Sequence, residues 1–137
     1  MNPAASNTLN LIGRLALAAL FLPAGIGKLT GFEGTVGYIA SVGLPFATLG
    51  AIIAAVVEIG GGVALILGYR VRIAALALAV FTLAASVIFH AYWAVPPEQA
   101  FMQQLLFNKN IAVTGGLLVL AAHGAGAFAL DGRRAAR

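Results

Sequence analysis

The chain contains no cysteine. Disulfides, thiolate metal sites and iron–sulfur clusters are therefore excluded, and redox compartment leaves no mark on the sequence. Charge is scarce as well. Eight Lys or Arg and four Asp or Glu make up 9% of 137 residues, where an ordinary soluble domain carries about 25%. So few charges cannot cover the surface of a water-soluble protein of this size. Histidine occurs only twice, which leaves little for a metal site. What fills the chain instead is apolar: 61% of residues are hydrophobic and the mean hydropathy is +0.99. A disordered tail, a collagen-like repeat and a soluble enzyme are excluded by these values. The remaining class is an all-α integral membrane protein, long enough for one bundle and too short for two domains, so residues 1–137 read as a single membrane domain.

A spanning helix needs about 20 mostly apolar residues. Four stretches meet this, at residues 9–29, 46–67, 73–93 and 104–128. Their length excludes buried strands, and they lack the alternation of a membrane barrel. No Lys or Arg precedes Arg14, which already lies inside the first apolar run, so the N-terminus does not read as a cleavable signal. The turn Gly68-Tyr69-Arg70-Val71-Arg72 is tight and basic. With four spans it lies on the same side as the N-terminus and the tail, and that side holds Arg70, Arg72, Arg133, Arg134 and Arg137. The other connections hold Glu33 and Glu98. An excess of Lys and Arg marks cytoplasmic loops, so both termini are expected in the cytoplasm of a multi-pass inner (plasma) membrane protein. The long outer connection repeats Phe32, Val36, Ile39 and Ala40 at helical spacing, which predicts a short amphipathic helix over 32–42 lying at the outer surface. Residues 94–98 read as a loop because of their double proline, with Tyr92 and Trp93 before it at belt depth.

Charges inside a span are costly and need a partner or a purpose. Glu58 lies twelve residues into the second span, about 18 Å from its outer end, near the bilayer midplane. Arg14 and Lys28 are fourteen residues apart on the first span. That is nearly four helical turns, so both share one face with Ala18, Phe21 and Gly25. Pro23 falls between them. Glu58 reads either as half of an ion pair, with Arg14, Lys28 or Lys109, or as a proton or ligand site. Lys28, His90, Asn108, Lys109 and Asn110 all belong to the outer part of their spans. Together with Glu58 they form the candidate ligand cavity, beneath the 32–42 helix. Competing readings stand beside this one. The lysines can snorkel to headgroups, His90 fits an interfacial position near Tyr92 and Trp93, and His123 fits an ordinary surface. Gly50, Ala54, Glu58 and Gly62, like Asn108, Ala112 and Gly116, are spaced by four and read as close-packing faces.

The segments Phe21-Leu22-Pro23-Ala24-Gly25-Ile26-Gly27-Lys28, Glu58-Ile59-Gly60-Gly61-Gly62, His90, and Lys109-Asn110-Ile111-Ala112 preceding Gly115-Gly116, in this order and spacing, resemble the DoxX family. The likeness is strongest to its small inner-membrane branch in Gram-negative bacteria and covers about residues 11–131. Gly31-Phe32-Glu33-Gly34 after the first span adds to it. The resemblance implies a four-helix membrane bundle. The family takes its name from a subunit of a quinone-linked sulfur-oxidation system, and many members carry an oxidoreductase label by analogy. A mycobacterial member is thought to join a membrane complex with redox-defence enzymes.

The residues themselves limit that chemistry. There is no dinucleotide fingerprint and no P-loop, since Gly60-Gly61-Gly62 lies inside a span. No metal site is expected, and His90 and His123 sit at opposite ends of the bundle. No intrinsic cofactor is evident, so a bound quinone or a partner's cofactor would carry any electrons. Three functions follow: an accessory subunit or quinone-like ligand binder in a membrane redox system, a non-catalytic assembly or structural protein, and a proton-coupled small-solute transporter. The expected partners are the lipid bilayer and either a redox-complex protein or a second copy of the chain. Nucleic acid is not among them.

Overall fold

A computed structural model describes residues 2–135, which form helices and no strand. The Asn2 side chain accepts a hydrogen bond from the Ala5 N–H at 2.8 Å, and Pro3 takes a first-turn position that needs no backbone donor. Helix α1 (Pro3–Thr30) therefore starts ahead of the apolar run and continues unbroken through Pro23. Gly31 separates it from α2 (Phe32–Ser41), the short outer helix expected from the spacing. Helix α3 (Ala47–Leu67) ends at Gly68, whose φ of 67° is open to glycine at little cost. The N–H groups of Gly68 and Tyr69 return to the carbonyls of Leu65 and Ala64, closing the helix end. Helix α4 (Val71–Phe89) and a 3₁₀ turn (Tyr92–Ala94) lead to α5 (Pro97–His123), and α6 (Leu130–Ala135) follows. Four segments are long and apolar enough to cross a membrane: α1, α3, Val71–Ala94 and α5.

Helix α1 packs chiefly on α3, and α4 on α5; α3 and α4 join the two pairs, and α2 lies against α3. The start of α1, the 68–70 turn and the segment after α5 meet at one end, the terminal face. There the Asn10 amide donates to the Gly124 carbonyl, and the Ala127 N–H donates to Asn7. Helix α2 and the 3₁₀ turn occupy the opposite end, the loop face. Ala18, Phe21, Leu65, Leu78 and Leu117 form the buried centre. The α1–α3 contact is close because small residues line it. A Cβ on Gly25 would lie 3.0 Å from the Glu58 Cβ and 2.7 Å from an Ile59 side-chain carbon.

Three expectations about the fourth span require correction. Pro97 does not belong to a loop: it is the first residue of α5, where proline is tolerated, and the helix runs back over residues 98–103, where Glu98, Gln99 and Gln103 interrupt the apolar run. The helix also ends at His123 rather than 128, because Gly124 at φ 82° turns the chain away. The stripe Asn108, Ala112 and Gly116 is exposed; the inward positions are Asn110, Thr114, Leu117 and Leu120. Of the arginines assigned to the terminal side, Arg70 and Arg72 lie in or just after the 68–70 turn. Arg137 and the side chains of Arg133 and Arg134 lie outside the described residues.

Candidate functional site

A cavity of about 370 Å³ lies beneath α2, with walls from all four long helices. Phe21, Ala24, Ala54, Phe81, Ala85 and Phe89 make its apolar part, and Thr35, Tyr38 and Ile39 of α2 cover it. Ile39 is the one buried side chain of α2, and Tyr38 stacks on Phe89 with ring centroids 5.4 Å apart. The polar lining comes from Lys28, Glu58, Thr82, His90, Lys109 and Asn110.

Lys28 Nζ lies 2.7 Å from Glu58 Oε2, and this is the ion pair found among the described residues. Helix geometry brings it about. Gly25 lets α1 and α3 touch at the level of Glu58, and side chains lean toward the N-terminus of their helix. Lys28, one turn beyond Gly25, therefore reaches back to the carboxylate. The lysine side chain is 29% exposed and that of the glutamate 8%, so the pair is anchored at its acidic end.

Helix α4 contributes Thr82, Ser86 and His90, spaced by four. The Ser86 hydroxyl donates to the Thr82 carbonyl at 2.7 Å, the usual way for a buried helical hydroxyl to satisfy itself. Thr114 on α5 does the same with the Asn110 carbonyl at 2.8 Å. Thr82 does not: the residue lines the cavity, and its hydroxyl is buried and has no hydrogen-bond partner among the described residues. His90 Nδ1 is 2.9 Å from the side-chain oxygen of Gln103 on α5. With that oxygen accepting, the proton sits on Nδ1, and Nε2 is left as an acceptor. The turn that carries the chain from His90 to α5 is fixed by the edge-on rings of Tyr92, Trp93 and Phe107, with centroids 5.1–5.6 Å apart.

Asn110 is buried in the lining, and Lys109 is exposed beside it. Asn108 belongs elsewhere, as it is exposed and outside the lining. At about 100° per residue, positions 108 and 110 stand on nearly opposite sides of a helix and cannot both point inward.

Arg14 also departs from expectation, because it is not a partner of Glu58. It is wholly buried near the terminal face and serves backbone carbonyls instead. Its Nη1 donates to Leu65 O at 2.7 Å and Ile66 O at 3.3 Å, its Nη2 donates to Phe128 O, and its Nε donates to Asn10 Oδ1 at 3.1 Å. The reason is register. Arg14 stands opposite the last turn of α3, whose carbonyls lack helical donors, while Glu58 lies about two turns further up.

Sequence reasoning passed over Thr82 and Gln103. Thr82 was within reach, since it continues the Ser86–His90 spacing by one more turn. Gln103 carried no signal, because its contact with His90 depends on the helical start of α5. Among the described residues no group of three His, Asp or Glu side chains is placed to hold a metal ion.

The sequence pattern of the DoxX family matches residues 9–91. Inner membrane protein YphA of Escherichia coli strain K12 is 39% identical over 130 residues, covering 95% of this chain and 93% of the relative. Inner membrane protein YqjF of the same organism is 38% identical over 121 residues, covering 88% of each. No solved structure matches significantly.

Proposed function

The chain belongs to the DoxX family, and from that premise we propose that it is an inner-membrane protein that binds the head group of a small quinone-like molecule for a membrane redox system. The observation that carries this is the state of Thr82. A buried hydroxyl with no partner among the described residues, on a residue that lines a mostly apolar cavity, is a donor that a ligand oxygen would satisfy once a small rotation turns it inward. Lys28, Thr82 and the Asn110 amide are donors suited to quinone carbonyls, and the aromatic and alanine walls suit a ring. A quinone, when bound, supplies the electron chemistry; the chain's part is to hold and orient it and to exclude water. The proposed orientation places the terminal face in the cytoplasm, supported by Arg70 and Arg72 at that end.

The lower part of the bundle favours a closed pocket over a transport path. Leu65, Leu78 and Leu117 are each wholly buried between the cavity and Arg14. The test uses a short-chain ubiquinone and the fluorescence of Trp93, the single tryptophan. Saturable quenching is expected, with affinity reduced several-fold in Thr82→Val and Lys109→Ala and thermal stability largely kept. Quenching that never saturates, or equal loss of stability and binding, would refute the reading.

A further inference from the structure

The terminal face carries a second cleft, between the start of α4, the end of α5 and the segment that follows. Arg70, Arg72, His123, Gly124 and Asp131 line it. Its negative groups are already engaged. Asp131 Oδ1 and Oδ2 accept the N–H groups of Arg70 and Val71 at 2.9 and 3.0 Å, capping α4. The last carbonyls of α5 accept from Arg72 Nη1, at 3.1 Å for Ala121 and 2.7 Å for Ala122. The donors are not used up. Neither arginine forms an ion pair among the described residues. The Arg70 guanidinium lies 5.9 Å from the Tyr69 ring centroid and donates no hydrogen bond to the described chain. The Nε–Nη2 edge of Arg72 also has no partner among the described residues, and it lies directly over Gly124: a Cβ there would come within 3.3 Å of Nε. Glycine keeps that edge open. His123 Nδ1 donates to Val119 O at 2.9 Å and is not available to a ligand.

We infer that this cleft binds a phosphate group. Two arginines of open fork geometry, beside one carboxylate occupied by backbone donors, match an oxyanion in shape and charge. The cleft lies at the end of two spanning helices, at headgroup depth, so an anionic phospholipid is one source and free phosphate the other.

Purified protein is examined by native mass spectrometry with phosphatidylglycerol or phosphatidylcholine, and by calorimetry with inorganic phosphate alone. The wild type is expected to retain one phosphatidylglycerol, and Arg70→Gln to weaken this about tenfold, the worth of one charge-assisted hydrogen bond. Arg72→Lys keeps the charge but loses the fork, and a similar loss is expected. Lipid retention without phosphate heat identifies the headgroup as the ligand. Phosphate heat that disappears in both variants identifies the free anion. Should Arg72→Lys shift the end of α5 and with it the cleft, Arg70→Gln decides alone. Equal binding by wild type and Arg70→Gln in both measurements would overturn the site.

Discussion

Thr82→Val separates a ligand-binding role from a structural one, because the two predict opposite signs. In an ordinary buried position the threonine hydroxyl holds a helix carbonyl or a neighbour, and replacing it with a methyl group loses that bond. Here the other buried hydroxyls, Ser86 and Thr114, do hold carbonyls, and Thr82 holds nothing. A buried polar group without a partner costs about 1–3 kcal/mol. Valine keeps the shape and removes that cost, so Thr82→Val should raise unfolding stability in detergent by about 1 kcal/mol. The same change removes a donor from the cavity, and a neutral hydrogen bond of about 1 kcal/mol corresponds to roughly a fivefold loss of quinone affinity. Thr82→Ser, which keeps the hydroxyl, should restore affinity while losing a methyl group's packing. The assays are thermal or denaturant unfolding of the purified protein and quinone titration of Trp93 fluorescence on the same samples. A Thr82→Val variant that is both less stable and unchanged in binding would refute the reasoning.

Arg14→Met removes the donors that hold Leu65, Ile66 and Phe128 together; with some desolvation recovered, a loss of about 2–4 kcal/mol is expected in unfolding measurements. Arg72→Met removes similar contacts at an exposed site where water replaces them, so its cost should stay below about 1 kcal/mol; equal costs would show that burial is not what matters. Glu58→Gln should destabilise by about 1–3 kcal/mol, short of a fully buried pair because Lys28 is partly exposed and can snorkel. The double variant with Lys28→Met should recover most of that loss, and strictly additive losses would argue against the pair. A cytoplasmic reporter fused after Arg137 should be active, and activity only of an exported reporter would reverse the proposed orientation.

The four spans and the outer helix were legible because their signals are local. Long apolar runs report spans, and Phe32, Val36 and Ile39 report a helix wherever the chain places it. The inward face of α1 was legible for the same reason: Arg14, Ala18, Phe21 and Gly25 follow 3.6-residue spacing and are the buried residues of that helix. The partners of the buried charges were not legible. They depend on the vertical register of α1 against α3, set by the approach of Gly25 to Glu58 and Ile59, and no periodicity within one helix encodes it. The α5 errors have a different origin. Hydropathy places a helix start where water ends, but Pro97 starts this helix outside the apolar run; Asn108 was grouped with Asn110 by depth alone, although helical rotation sets the two on opposite sides.

The two cations of α1 show why the cavity lies at the loop face. At the terminal face Arg14 is wholly buried and bound to α3 and to the segment after α5, and Asp131 fastens that segment to α4. Opening that end breaks several hydrogen bonds at buried groups, each costing about 1–3 kcal/mol. At the loop face the cover is α2, which buries a single side chain, Ile39, and adds one ring stack, Tyr38 on Phe89. Lifting it costs about 1.5–3 kcal/mol for the isoleucine and 0.5–1.5 kcal/mol for the stack. An opening of that size is populated at about 3% or less, which suffices for exchange of a small molecule. Lys28 needs no second carboxylate in the open state, because its partner Glu58 is on α3 and does not move with α2. The bundle is therefore cheapest to open directly above the Lys28–Glu58 pair, and Tyr38→Ala should speed ligand exchange there with little effect on global unfolding.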